Sequence, residues 1–274
     1  MLKLLTLSVI SASLALAINL DSKDKTVLEY ETKRFSALAK KNRFDLKNVE
    51  IIKTQPISKE WKSYLFKIQF ERGNGLETFS EVILSNGEFI APDLINAKSG
   101  RAVGKNISVD LDESYYNDAN LLYGSKDSKH KLVIFSDPVC PFCMSFVPKL
   151  IDDLKNQNDI ALYFYHFPLT QIHPSAPAII KASLALEHID KKYAKEIYQA
   201  KLNPKERDEQ KVIDEINKKL GTKLTLKDIN TKEIKERLAR DMEKSSDALI
   251  NSTPSIFFDG KKDATRVKYK DYLK

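Results

Sequence analysis

The chain contains only two cysteines, Cys140 and Cys143, and they stand together as Cys-Pro-Phe-Cys. Two thiols at this spacing can exchange a disulfide with other proteins, staple a loop, or form half of a zinc site. A disulfide closing so short a loop removes only about 2 kcal/mol of chain entropy, which is a weak structural reason for the pair. Further zinc ligands would have to come from the scattered His166, His173 or His188. We therefore interpret the pair as a redox-active dithiol and expect neither metal nor cofactor, with the structural disulfide and the zinc site as alternatives.

The elements around the dithiol predict different roles for the two thiols. Residues 132–135 form a continuous apolar run, which is typical of a strand buried on both faces, and residues 140–155 read as a helix. A cysteine at a helix start faces unpaired backbone N–H groups and the positive end of the helix dipole, which both favour the thiolate. We therefore expect Cys140 to be the nucleophile and Cys143, one turn further, to resolve mixed disulfides. Pro141 suits the first helical turn, where its missing N–H costs nothing.

Two segments, Phe-Ser-Asp-Pro-Val-Cys-Pro-Phe-Cys at 135–143 and Ser-Thr-Pro-Ser-Ile-Phe-Phe at 252–258, together resemble the bacterial Dsb thiol:disulfide interchange family, most closely its DsbC/DsbG-like branch. The resemblance implies a thioredoxin fold, and it implies a cis-proline loop beside the disulfide. It carries that loop onto Thr253 and Pro254, and it implies that substrate contacts Pro141, Phe142, Thr253 and Pro254. It also implies an N-terminal dimerisation domain joined by a linker to the catalytic domain.

Three positions bear on the direction of the reaction. Thioredoxin and DsbA carry a carboxylate six residues before the first cysteine, where this chain has Ile134, and DsbA carries a histidine where this chain has Phe142. Asp137 could assist proton transfer, but a residue before a proline is more often a turn former. We expect a dithiol less oxidising than that of DsbA, and hence an isomerase or reductase. An oxidase is the alternative, and a holdase chaperone that needs neither cysteine is the alternative of another class.

The remaining sequence predicts a thioredoxin fold of the α/β class with an inserted helical subdomain, preceded by a small α+β domain. Residues 18–103 combine an amphipathic helix with alternating apolar and polar strands, and form the predicted N-terminal dimerisation domain. Residues 104–130 are rich in turn formers and predict a linker, and residues 131–274 predict the catalytic domain. A helical pattern from about 174 to 246, which Pro174 would open, separates strands 160–166 and 255–258.

The chain start predicts where the protein works. Residues 1–17 combine Lys3, an apolar run and an Ala-Leu-Ala site, which indicates a secretory signal peptide and a periplasmic protein. The net charge of +7 lies mostly on lysines interleaved with acidic residues, so we expect no nucleic-acid partner. The predicted partners are unfolded or misoxidised exported proteins, a second copy of the chain, and a membrane redox partner.

Overall fold

The computed structural model describes residues 19–72, 75–105 and 107–273. The predicted signal peptide and residues 73–74 therefore lie outside the described residues. The N-terminal unit packs one helix on an antiparallel sheet whose strand order is β1-β2-β3-β4. Its elements are α1 (Ser22–Asn42), β1 (Asp45–Pro56), β2 (Lys62–Arg72), β3 (Gly75–Ser85) and β4 (Ile90–Ala91).

The core of this unit explains its elements. Asp21 and Asp24 form a capping box that begins α1, and Arg43, with a φ of 58°, ends it. The helix buries an apolar face against β2, whose alternating residues supply the other side of the core: Tyr64, Phe66 and Ile68. The strand predicted from this alternation is present as β2, although Ser63 and Leu65 on its other face are buried as well. Strand β1 was not predicted, because two register irregularities along it break the alternation of its apolar residues.

The segment expected as a linker at 104–130 is partly built into the second sheet. After a short pair, β5 (Leu94–Ile95) and β6 (Ala102–Val103), two 3₁₀ turns lead into β7 (Leu121–Tyr123), which is an edge strand of that sheet. Leu111 and Tyr115 are buried beneath the sheet. An apolar stretch of three residues is too short to show a strand period in the sequence, so this attachment was missed.

The second sheet has the order β11-β10-β8-β9-β7, in which only β8 and β9 run parallel. Its remaining strands are β8 (His130–Ser136), β9 (Ile160–His166), β10 (Ser255–Phe258) and β11 (Lys261–Lys262), and helix α2 (Pro141–Leu154) follows β8. Residues 132–135 of β8 are fully buried, as their continuous apolar run predicts. The thioredoxin-like α/β fold expected from the sequence is present.

Five helices lie between β9 and β10: α3 (Ala176–Glu187), α4 (Tyr193–Gln199), α5 (Glu209–Leu220), α6 (Leu226–Ile229) and α7 (Lys232–Asp247). They match the predicted insertion, but α3 begins at Ala176 with Pro177 in its first turn, so the prediction that Pro174 opens the helix is wrong. The residues before it form a tight turn in which the backbone N–H of His173 donates to the carbonyl of Leu169. Within the described part of the chain, no helix combines the length and apolarity needed to cross a membrane.

Candidate active site

The dithiol lies at the start of α2, directly after the turn that follows β8. Cys140 is the N-cap residue of α2, and its carbonyl accepts the first helical hydrogen bond, from the N–H of Met144 at 2.9 Å. Pro141 occupies the first turn as predicted. Cys143 is completely buried, whereas Phe142 between the two cysteines is 69% exposed. Both cysteines are free thiols.

The loop before β10 is brought against the first thiol. Antiparallel pairing places Ser255 of β10 opposite Phe135 of β8, so the residues preceding β10 meet those following β8. The Thr253–Pro254 peptide bond is cis, as expected from the resemblance. The sulfur of Cys140 lies 3.6 Å from the carbonyl oxygen of Thr253, to which the thiol donates when it is protonated. The sheet therefore brings together two predicted site segments that are more than a hundred residues apart.

The two thiols have opposite acidities. The pKa of Cys140 is lowered to about 5, chiefly by a hydrogen bond from the Cys143 thiol and further by the Thr253 hydroxyl and the backbone N–H groups of Cys143 and Phe142. Burial works against this lowering but is outweighed. Burial raises the pKa of Cys143 strongly, and the neighbouring Cys140 raises it further. At neutral pH, Cys140 is therefore the thiolate and Cys143 the protonated partner, in line with the predicted roles.

The Thr253 side chain is buried beside the first thiol. Thr253 is 6% exposed, and its Oγ1 makes no hydrogen bond to another group of the described residues. The interaction of its hydroxyl with the Cys140 sulfur lowers the pKa of that thiol. A buried hydroxyl without another partner gains most from an anionic acceptor, so Thr253 stabilises the thiolate selectively.

Asp137 shapes the turn between β8 and α2. Its Oδ1 accepts from the N–H of Val139 at 2.9 Å, which confirms the turn role expected from the sequence. Its Oδ2 lies 2.9 Å from both the N–H of Leu169 and Nδ1 of His173. The carboxylate is completely buried and fixes the loop after β9 against the active-site turn. Sequence analysis missed His173 in this role, because no local pattern links residues 36 positions apart.

A hydroxyl pair lies behind the second thiol. The phenol of Tyr198, on α4, donates to Oγ of Ser136 at 2.9 Å, and both residues are buried. The Ser136 side chain in turn hydrogen-bonds the sulfur of Cys143, as does the backbone N–H of Asp137. Neither Ser136 nor Tyr198 was predicted as a site residue, because the contact spans 62 positions and depends on how α4 packs.

His166 lies outside this site. It is buried, and its Nδ1 lies 3.0 Å from Oδ2 of Asp241, so it is a core histidine whose ring nitrogen has a hydrogen-bond partner. Among the described residues, no group of three or more His, Cys, Asp or Glu side chains could hold a metal ion.

Comparisons with known proteins agree with this description. Residues 116–274 match the family model described as Thioredoxin. The chain is 25% identical over 148 residues to the "Probable disulfide bond formation protein D" of Bacillus anthracis, an alignment that covers 50% of this chain and 68% of that protein. The crystal structure of oxidised BdbD from Bacillus subtilis has 16% identity and a TM-score of 0.46, covering 61% of this chain and 94% of that one. The catalytic domain of Proteus mirabilis ScsC has 25% identity and a TM-score of 0.43, with 57% and 89% coverage.

Proposed function

From the premise that the chain belongs to the thioredoxin family, whose model its residues 116–274 match, we propose that it is an exported disulfide isomerase and reductase. It is a thiol:disulfide oxidoreductase of the Dsb type. The direction of the exchange, the substrates, the oligomeric state and the periplasmic location are what we propose.

The observation that carries the proposal is the neutral character of the groups that stabilise the Cys140 thiolate. The donors that lower its pKa are the Cys143 thiol, the Thr253 hydroxyl and two backbone N–H groups, and none of them bears a charge. The resulting pKa of about 5 lies between the roughly 7 of thioredoxin and the roughly 3.5 of the strongly oxidising DsbA. The reduced form is therefore stabilised less than in DsbA, and the dithiol is a weaker oxidant.

As an isomerase, the protein acts from its reduced form. The Cys140 thiolate attacks one sulfur of a wrong substrate disulfide, forming a mixed disulfide and releasing the other substrate sulfur as a thiolate. Another substrate thiolate then attacks the substrate sulfur of the mixed disulfide and returns Cys140 as the thiolate, so the number of disulfides is unchanged. As a reductase, Cys143 instead attacks the sulfur of Cys140, and the substrate leaves with two reduced cysteines.

Recovery of scrambled ribonuclease by the reduced protein tests this proposal. We expect recovery with the parent, none with Cys140→Ser, and no recovery with the double Cys140→Ser, Cys143→Ser variant. A parent that fails to rescue the scrambled enzyme while oxidising reduced ribonuclease would overturn the isomerase assignment. Assistance that survives in the double variant would instead support a holdase.

Similarity to a probable disulfide bond formation protein of Bacillus anthracis favours an oxidase as the second candidate. In that direction a substrate thiolate attacks Cys140 of the disulfide and releases Cys143, and a second substrate thiolate then releases Cys140. A membrane redox partner would have to reoxidise the pair, whereas an isomerase needs a partner that keeps it reduced. Acid trapping and alkylation in cells separates the two: a reduced pair supports the isomerase, and an oxidised pair supports the oxidase.

We also propose that residues 18–103 mediate a homodimer in the periplasm. This unit carries exposed apolar side chains, including Phe89 and Ile95, each 60% exposed. Exposed apolar side chains on a small unit are stabilised by burial against a partner. In sedimentation experiments we expect the Phe89→Glu, Ile95→Glu double variant to shift towards monomer. Ile189→Glu, on the helical insertion where Ile189 is 73% exposed, is the control; a double variant that stays dimeric would move the interface elsewhere.

A further inference from the structure

The resolving step requires negative charge to develop on a completely buried sulfur. Cys143 loses its proton as it attacks Cys140, and burial opposes that loss by raising its pKa. Residue 134, on the strand before the dithiol, is an isoleucine and cannot handle a proton. The carboxylate of Asp137, in the turn before Cys140, is held by two backbone N–H groups and His173. The charge on Cys143 must therefore be stabilised by other groups.

Among the described residues, two groups donate hydrogen bonds to the Cys143 sulfur, and one of them is a side chain that can be substituted. The backbone N–H of Asp137 is one donor, and the Ser136 hydroxyl is the other. A hydroxyl carries one hydrogen and can accept from a second donor at the same time. The Tyr198 phenol occupies the accepting side of Ser136 Oγ at 2.9 Å, which leaves the serine hydrogen to point at the sulfur.

We propose that Ser136 is a catalytic hydroxyl that stabilises the developing Cys143 thiolate in the resolving step, and that Tyr198 is the residue that positions it. This proposal rests on thiol:disulfide exchange but holds in either direction. Cys143 attacks the Cys140 sulfur of a mixed disulfide, the Cys140–substrate S–S bond breaks, and the Cys140–Cys143 bond forms. The departing substrate sulfur takes the electron pair and the proton that Cys143 has lost, so no further reactant is needed.

The ionisable groups around Cys143 are consistent with this assignment. Cys140 faces it from the helix start, Tyr198 faces it from α4, and the carboxylate of Asp137 is directed to His173. Burial raises the pKa of Tyr198 well above its usual value, so the phenol stays protonated and remains a donor. As the pH rises, Cys140 therefore loses its proton before Cys143, and Ser136 acts on Cys143.

The expected effect follows from one charge-assisted hydrogen bond. Removing such a bond raises the pKa of a thiol by roughly one to two units, which lowers its thiolate fraction on the order of ten- to a hundredfold. The remaining thiolate is intrinsically more nucleophilic, with a Brønsted coefficient of about 0.4–0.5, which offsets part of the loss. Ser136→Ala should therefore slow the resolving step roughly 3- to 10-fold.

Stopped-flow reaction of the reduced full chain with Ellman's reagent measures both steps in one experiment. The Cys140 thiolate releases the first coloured thiolate, and attack by Cys143 releases the second, its proton passing to the buffer. We expect Ser136→Ala to slow the second phase roughly 3- to 10-fold across the accessible pH range. The rate of the first phase should change by less than about twofold. Tyr198→Phe should slow the second phase less, because the serine remains but loses its orientation.

Matched variants separate this role from a structural one. Ser245→Ala removes a buried hydroxyl on α7, and Tyr165→Phe removes a buried phenol on β9; neither should change the second phase. An unchanged second phase in Ser136→Ala would overturn the proposal. So would equal slowing of both phases, which would indicate displacement of the whole site, or a larger effect of Tyr198→Phe than of Ser136→Ala. Failure of the isomerase assignment would leave this measurement unaffected.

Discussion

Replacing Thr253 by valine should make the Cys140 thiol a weaker acid without rebuilding the site. Valine keeps the shape of threonine but lacks the hydroxyl, which has no other partner among the described residues. Both Thr253 and Cys140 are nearly buried, so water cannot readily replace the lost donor. A hydrogen bond to a charged acceptor contributes about 1.5–3 kcal/mol, and one pKa unit corresponds to about 1.4 kcal/mol. The pKa of Cys140 should therefore rise from about 5 to roughly 6–7.

The pH of the assay decides whether this change is visible. At pH 7 both proteins are at least about half thiolate, so their alkylation rates differ little. At pH 5 the parent is about half thiolate, whereas the variant is roughly 1–10% thiolate, and alkylation by iodoacetamide should be roughly 5- to 50-fold slower. Thr253→Ser keeps the hydroxyl and should stay close to the parent.

The same substitution should lower the reduction potential. The thiolate stabilises the reduced form, and a loss of 1.4 kcal/mol corresponds to about 30 mV for a two-electron couple. Thr253→Val should therefore be roughly 30–50 mV more reducing than the parent at pH 7 in a glutathione titration. If the alkylation midpoint of the variant moves by less than about half a pH unit, the Thr253 hydroxyl is not a significant donor to Cys140.

Three further predictions concern the dithiol. Cys140→Ser should abolish alkylation at neutral pH, whereas Cys143→Ser should accumulate mixed disulfides on non-reducing gels; faster alkylation of Cys143 than of Cys140 in the reduced parent would reverse the roles. Phe142→His adds a cation beside the thiolate and should raise the reduction potential towards that of DsbA, while Phe142→Tyr should not. The depressed pKa of Cys140 stabilises the reduced fold, and this stabilisation is complete above about pH 9 and is lost as the pH falls through about 5. The urea midpoint of the reduced protein minus that of the oxidised protein should therefore rise from about pH 5 to about pH 9. A difference that stays flat over that window would contradict the low pKa.

The parts of the fold that could be predicted are those whose signal lies in consecutive residues. The buried strand β8 shows itself as an uninterrupted apolar run, and the helix that follows is marked by Pro141. Strand β1 is different, because its irregular register moves apolar residues off a strict period of two. Strand β7 is only three residues long, so its place at the sheet edge depends on pairing with β9 rather than on any pattern of its own.

The same distinction divides the active site. Cys140, Cys143 and the Thr253–Pro254 loop form short motifs that can be recognised without a structure. The Asp137–His173 and Ser136–Tyr198 contacts join residues 36 and 62 positions apart, and serine and tyrosine are too common for either partner to stand out. Their roles follow only from the packing of α4 and the loop after β9 against the end of β8.

In the described site, the kind of donor around each sulfur links the pKa of the thiols to the direction of disulfide exchange. The groups that lower the pKa of either sulfur are thiol, hydroxyl and backbone N–H donors: Thr253 and the helix start for Cys140, Ser136 and the turn for Cys143. Neutral donors stabilise a thiolate less than a nearby cation does, so the reduced dithiol is favoured less strongly here than it would be beside a cation. A dithiol of that kind suits repeated exchange with substrate disulfides better than one-way oxidation. A lysine, arginine or histidine placed at residue 142 should therefore make the dithiol more oxidising, which we expect to favour disulfide donation over isomerisation.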